Sequence, residues 1–421
     1  MSGAHHSSIF AEFLDDDGNV VIGGKPATDW LDGSSRPHFL YSKEILKERI
    51  LELRSNMPPD LRLNYAVKSN PFQPFLRAVD PLVDGFDIAS IGELRRLIDA
   101  GCNTDNVSFA GPGKSRDEIR EAAAHAVKII VESPHQLALC ESVGQELGTP
   151  VRAMVRINDQ KARPGGGLSM AGAKTVFGWD LEDFQTNGAK TFASLAHVEF
   201  FGLHLFYGSQ ILQSTAIAEN IRISVDTITT LHLPAEPKLI NLGGGLGVPY
   251  GPKDVPLDLT DLTAPWSEAM ERLTARFPTT NVCVELGRYI SAPTGVFLVQ
   301  VLDRKSNGGT DFVVCSGGLQ NFSAATGNFG QVLKRNHPLR AVRSTHTLSP
   351  VTVTGPLCTP MDVFARDIML ADVSIGDYIA VFQAGAYGAT ASPSAFLSHP
   401  AAVEMVIDGA PQRAQPAKKL P

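Results

Sequence analysis

The sequence predicts an α/β chain: a parallel sheet or barrel of strand–helix units, followed by a mostly antiparallel β domain. Three observations carry this. From His38 to about Thr280, short runs rich in β-branched residues alternate with longer helical patterns, and alternation of that length favours a parallel α/β arrangement over separate layers. The stretch is about 240 residues, near the ~250 of an eightfold (β/α)8 TIM barrel. After Thr280 the texture changes to short strand-like runs joined by turns, with few helical patterns, as in an antiparallel β domain.

Taken in order, residues 1–37 are polar and Gly-rich, with a short apolar run at Val20–Ile22. In the α/β part, residues 38–280, strands are expected at Val127–Val131, Pro150–Ile157, Val198–Phe206 and Lys238–Leu242, with a helix starting at Ser133–Pro134. Residues 281–409 are expected to form the β domain, with strands at Val282–Val284, Thr294–Val301, Phe312–Cys315, Ser349–Thr354 and Tyr378–Phe382. The Pro-, Ala- and Lys-rich residues 410–421 read as a disordered tail.

Bulk properties narrow the function. The chain has 421 residues, 43% of them apolar, enough for a large core and two domains. A net charge of −7, with no basic block, argues against a nucleic-acid partner. No run approaches the ~18 apolar residues of a membrane span. Met1–Asp17 lacks the basic-then-apolar pattern of a secretory signal. The cysteines Cys102, Cys140, Cys283, Cys315 and Cys358 are scattered and never form a CxxC pair. Neither a disulfide framework nor a metal site is expected, and the cytoplasm is the default compartment.

Several segments carry chemistry. Lys68 follows the apolar alternation of Asn64-Tyr65-Ala66-Val67 and precedes Ser69-Asn70-Pro71, where proline ends the strand. A lysine at the C-terminal end of a barrel strand points into the mouth where barrel enzymes keep their sites, although most isolated lysines are simply solvated. Gly243-Gly244-Gly245-Leu246-Gly247 follows a strand, so backbone N–H groups there can approach a phosphate, or can merely make a tight turn. Glu285 and Arg288 close another apolar strand. They are either an ordinary ion pair or the partners of a cationic ring nitrogen and a phosphate. Gly355–Asp362 is a tight turn carrying Cys358, and Gly385-Ala386-Tyr387-Gly388 is a second small-residue turn.

Taken together and in order, these segments resemble the alanine-racemase-fold decarboxylases that use pyridoxal 5′-phosphate (PLP), the group that includes ornithine and diaminopimelate decarboxylases. The ordered set is Tyr65-Ala66-Val67-Lys68, Phe86–Leu94, Phe109-Ala110-Gly111-Pro112-Gly113-Lys114, Val131-Glu132-Ser133, Gly202-Leu203-His204, Gly208-Ser209-Gln210, the triple glycine, Glu285-x-Gly287-Arg288, Gly355-Pro356-Leu357-Cys358 and Gly385-Ala386-Tyr387. It runs from about Pro37 to about Gly409.

The resemblance implies a PLP-binding barrel and a β domain that the N-terminal segment joins. It also implies a head-to-tail homodimer with shared active sites. Lys68 would be the Schiff-base lysine, and Glu285 would keep the pyridine nitrogen protonated. Gly243, Gly244, Gly245, Ser209, Arg288 and Tyr387 would surround the phosphate. Asp87, Arg156 and His204 would lie near the cofactor, and Cys358 from the partner subunit would return a proton to Cα.

The chain departs from the usual pattern at several points. In Gly202-Leu203-His204-Leu205-Phe206-Tyr207-Gly208-Ser209, Phe206 stands where the family has a ring-stacking histidine. An aromatic face still stacks but carries no proton. Thr359 follows Cys358 where diamino-acid enzymes carry an acid, and Ser316-Gly317-Gly318 replaces an Asp-Gly turn. Without those carboxylates, burying a distal ammonium is costly, so ornithine, lysine and free meso-diaminopimelate are disfavoured.

Gly317–Gly330, Lys334–Pro338 and Cys358–Asp362 resemble the branch found in secondary-metabolite and exopolysaccharide gene clusters, some of whose members act on a carrier-held aminoacyl group. The candidates for substrate contact are Arg288, Arg335, Thr359 and Asp362, with Lys334 or Arg335 facing an acidic tail or carrier. The competing readings are decarboxylation of a free diamino acid, racemisation on the same fold, and a non-catalytic homologue.

Overall fold

The computed structural model describes residues 10–159, 168–169, 175–251, 253–327, 335–345 and 347–409. The tail after Gly409, Lys334 and the end of the Gly317–Gly330 motif lie outside these residues. The chain divides into two compact units. One is built from residues within 50–247 and 256–287, the other from residues within 1–49, 248–255 and 288–421.

The first unit is a closed parallel barrel. In chain order, after β1 (His38–Ser42) of the second unit, the elements are α1 (Lys43–Asn56), β2 (Leu61–Ala66), α2 (Gln73–Val79), β3 (Gly85–Ile88), α3 (Ile91–Asp99), β4 (Val107–Phe109), α4 (Arg116–Ala124), β5 (Lys128–Val131), α5 (Pro134–Leu147), β6 (Val151–Asn158), β7 (Val198–His204), α6 (Ser214–Thr230), β8 (Leu239–Asn241), α7 (Thr260–Arg276) and β9 (Asn281–Leu286). Strands β2 to β9 pair in sequence order, all parallel, and β9 closes on β2 through Val282–Leu286 against Leu61–Tyr65. Because helices cover the outside, strands such as β5 are buried along their whole length, which explains their unbroken apolar character.

Helix starts are set locally. Ser90 accepts from Glu93 N–H, Ser115 and Glu118 form a capping box, and Ser133 accepts from Gln136 N–H with Pro134 at the first turn. Each cap contributes about 1 kcal/mol. The three caps lie in the segments that lead from β3, β4 and β5 into their helices, so they shape the C-terminal rim of the barrel.

The second unit is an eight-stranded sheet. It contains β1, β10 (Gly295–Asn307), β11 (Thr310–Cys315), β12 (Leu339–Ala341), β13 (Leu348–Thr354), β14 (Val363–Ala371), β15 (Tyr378–Val381) and β16 (Val403–Ile407). Pairing is antiparallel except for β11–β13 and β16–β1. Phe10, Phe13, Val20, Ile22 and Ala27 share its core with Leu40, Val296, Leu298 and Ile407.

Two boundaries differ from expectation. The strand opening at His38 lies in the β unit, not the barrel, pairing with Gly295–Leu298. Conversely, Val282–Val284 is the closing barrel strand, not the first strand of the β domain. Both strands are almost wholly buried. A buried strand of either sheet shows the same continuous apolar run, so periodicity cannot assign it. The remaining strand expectations match to within a residue or two, apart from β10, which runs on to Asn307, and β7, which ends at His204.

Candidate active site

The C-terminal ends of the barrel strands bring together groups scattered through the sequence. Lys68 sits in the 3-10 turn Val67–Ser69 directly after β2. Asp87 lies in β3, Arg156 in β6, His204 at the end of β7, Asn241 at the end of β8 and Glu285 in β9. The Lys68 Nζ is 5.7 Å from the centre of the Phe206 ring, and the Arg156 guanidinium is 5.8 Å from the same ring. Arg156 also lies over Phe177 and 3.9 Å from Glu132. Glu132 accepts from Gly111 N–H at 2.9 Å and Gly178 N–H at 2.8 Å, tying two rim loops together.

Two buried carboxyl groups at this end are driven apart. Burial alone would raise the Glu285 pKa. The His204 imidazole, whose Nε2 is 3.3 Å from Oε2, outweighs burial together with Lys68 and the Asn241 amide, and takes it down to about 2. Asp87 moves the other way. Burial and then the charge of Glu285 raise it well above the usual carboxylate range, against Lys68 and the Ser108 hydroxyl, which donates at 3.0 Å. Glu285 is therefore held in its ionised form, while its neighbour Asp87 is shifted toward the protonated one.

The triple glycine packs its backbone tightly. Gly243 has φ +70°, and a Cβ there would collide with the Leu205 carbonyl. A Cβ on Gly244 would strike the Glu285 carbonyl. Only glycine fits both places. Ser209 lies in a short strand that pairs with Leu168.

The second unit holds its own cluster. Arg288 donates to the Tyr250 hydroxyl at 2.8 Å and lies 4.5 Å from the centre of the Tyr387 ring. Tyr387 has φ +52°, a strained conformation for a bulky residue, of the kind that collects at functional sites. His337 Nε2 donates to the Phe382 carbonyl at 2.8 Å, and its ring lies tilted against Tyr250, 5.3 Å between ring centres. Burial pushes its pKa down to about 4, so it is neutral at physiological pH. Arg335 is 61% exposed and pairs with Asp254 at 3.2 Å. Cys358 is an exposed free thiol.

Comparison with known proteins places the chain in a family. Residues 43–292 match the family model described as pyridoxal-dependent decarboxylase, pyridoxal binding domain. The chain belongs to the pyridoxal-dependent decarboxylases. It is 31% identical to an L-glutamyl-[BtrI acyl-carrier protein] decarboxylase from Niallia circulans, over 88% of each chain. It is 29% identical to a 2-[(L-alanin-3-ylcarbamoyl)methyl]-2-hydroxybutanedioate decarboxylase from Staphylococcus aureus, over 89% of this chain and 96% of the other. The diaminopimelate decarboxylase of Helicobacter pylori complexed with L-lysine superposes with a TM-score of 0.78 at 27% identity, covering 90% of this chain and 93% of that one. The chain is thus a PLP-dependent amino-acid decarboxylase of the alanine-racemase fold.

The decarboxylase's barrel fits PLP. A buried ionised carboxylate suits a protonated pyridine nitrogen, the glycine turn carries no side chains to keep a phosphate from its main chain, and Phe206 presents an aromatic face near the Lys68 amine.

One candidate substrate contact takes a different part. Asp362 is 2% exposed, and its two oxygens accept from Leu319 N–H at 2.7 Å and Leu357 N–H at 2.9 Å. It holds the turn that carries Cys358 in shape, packed so closely that a Cβ on Gly318 would collide with it. Its nearness to Cys358 in sequence gave no sign that the carboxylate turns inward. Thr359, partly exposed, stays in the turn, with its hydroxyl accepting weakly from Met361 N–H at 3.4 Å. The pattern also passed over Tyr250 and Asn241. Asn241 had a readable signal, a polar residue ending an apolar strand two positions before the first glycine. Tyr250 had none.

Proposed function

We propose that this decarboxylase removes the α-carboxyl group of an amino acid whose side chain is acylated or held on a carrier protein. The observation that carries this is the turn Gly355–Asp362. Its one carboxylate, Asp362, is spent on backbone N–H groups, and the residue after Cys358 is the neutral Thr359. A distal ammonium placed there would lack a carboxylate partner at high desolvation cost. The relative from Niallia circulans, named for a carrier-linked glutamyl substrate, supports the reading.

Bound PLP supplies an electron sink for the charge that develops at Cα when CO2 leaves. The chain's residues do the rest. Lys68 would provide the amine that anchors the cofactor's aldehyde, and Glu285, with His204 against it, would hold the ring nitrogen's proton. Asp87, Arg156 and Phe206 would serve the ring. Gly243, Gly244, Gly245, Ser209, Arg288 and Tyr387 would hold the phosphate, an anchor remote from the reacting atoms. Arg288 and Arg335 meet the substrate or its carrier. Cys358, from a second copy of the chain in a homodimer, returns the proton to Cα. The enzyme works in the cytoplasm. Among the described residues, no helix is long and apolar enough to cross a membrane.

The test is CO2 release from a panel of free L-glutamate, ornithine, lysine and meso-diaminopimelate beside carrier-tethered glutamate. Release only from the tethered form is expected, and efficient release from a free diamino acid would overturn the reading. Cys358→Ala is expected to lower turnover about 10²-fold, the usual scale for a lost acid–base group, and to yield some carbonyl by-product. Unchanged rate and product would remove the thiol from the reaction. Racemisation without CO2 release would place the enzyme with the racemases of the same fold.

A further inference from the structure

Asn241 ends β8, is 1% exposed, and has no part in the roles above. Its side chain faces two ways. Nδ2 donates to Glu285 Oε2 at 3.0 Å, and Oδ1 accepts from Gly243 N–H at 2.8 Å. The orientation of the amide is set by its partners, because an ionised carboxylate only accepts and a backbone N–H only donates. Glu285 N–H in turn donates to the Gly243 carbonyl at 2.9 Å. The carboxylate residue and the first glycine of the turn are therefore joined twice, by main chain and through this one side chain.

We infer that Asn241 is a positioning residue that couples the carboxylate assigned to the ring nitrogen to the glycine turn assigned to the phosphate, setting both ends of the cofactor site in one register. The inference rests on the roles proposed above for Glu285 and Gly243. Glu285 is faced by His204 from β7, Asn241 from β8, Lys68 from the turn after β2 and Asp87 from β3, with Cys283 two residues earlier on its own strand. Of these, Asn241 alone is a donor that never titrates, so its support for the ionised carboxylate is independent of pH. An aspartate of the same shape would keep the oxygen that receives Gly243 N–H. It would also set two carboxylates side by side, a pair that holds on to one proton.

Asn241→Asp therefore separates the two halves of the coupling, and Asn241→Ala removes both. Three quantities are measured: PLP affinity by fluorescence titration of the apoprotein, the pH dependence of the visible band of the loaded protein, and kcat and KM. For Asn241→Asp, affinity within about threefold of wild type is expected, with a new titration of the visible band and a kcat at least about tenfold lower. For Asn241→Ala, PLP affinity is expected to fall a further tenfold or more, as one bond to the glycine turn is lost. Apoprotein melting curves check folding, and the isosteric Asn241→Asp decides the matter alone if the alanine variant does not fold. An Asn241→Asp enzyme with wild-type spectrum, titration and kcat would overturn the coupling. Glu285→Gln is run beside it. If that variant leaves spectrum and rate unchanged, the role of Glu285 fails and the inference falls with it.

Discussion

Lys68→Ala is expected to abolish the visible absorption of the PLP-loaded enzyme and to lower decarboxylation by several powers of ten, the scale seen when a nucleophile acting as part of a unit is removed. The placement of Lys68 supports this. It sits in a tight turn at the C-terminal rim, with Asp87 and Glu285 near enough to feel its charge and the Phe206 ring beside its Nζ. Alanine leaves an aromatic face and two carboxyl groups around a cofactor with no covalent tether. Residual PLP binding through the phosphate is still expected, so absorption has to be read at the band of the lysine-linked form. Borohydride reduction followed by peptide mapping gives a second reading, with label on the Lys68 peptide in wild type and none in the variant. An unchanged band in Lys68→Ala, or label on another lysine, would refute the assignment.

Glu285→Gln is expected to lower kcat by about 10³-fold, within the range for a preorganised charge lost from a buried site, with PLP affinity changed by less than about tenfold. Glutamine keeps the shape and one acceptor for the Asn241 amide, so the side chain stays in place while the charge is lost. The pH dependence follows from the direction of the shift. The Glu285 pKa is held near 2, below its ordinary value. The stabilisation this carboxylate gives the fold is therefore fully present above the ordinary range and is lost progressively as pH falls from that range through about 2. Glu285 stays ionised across any working pH, and an acidic limb of the rate profile between about pH 4 and 6 belongs to another group. A limb in that range that disappears in Glu285→Gln would show the carboxylate titrating there and would contradict the geometry.

How legible the molecule is from its residues differs from feature to feature. The barrel can be read because each strand–helix unit carries its own signals: the buried run Lys128–Val131, the cap Ser133 with Pro134, and the glycine turn after Leu242. The two misplaced strands, His38–Ser42 and Val282–Val284, show the limit. Burial on both faces erases the alternation that would tell one sheet from the other. Asp362 shows another. Adjacent to a reactive turn it reads as a substrate contact, yet the fold turns it inward to satisfy two backbone N–H groups, and a buried N–H left without a partner is costly.

The sequence by itself determined which chemical groups are present and in what order: the lysine after a strand, the triple glycine, the Glu285 and Arg288 pair, the cysteine in its Gly-Pro-Leu turn, and the neutral residue following it. Those are local patterns, and their resemblance to the PLP decarboxylases rests on order alone. Only the tertiary structure decided what state the groups are in. Closing β9 onto β2 places Glu285 among His204, Lys68 and the Asn241 amide, so it ionises while Asp87 favours its proton. The Asn241–Glu285 hydrogen bond joins residues 44 apart in the chain. The pKa of a buried group is set by desolvation and by charges within a few ångströms, and those distances exist only once the barrel has closed.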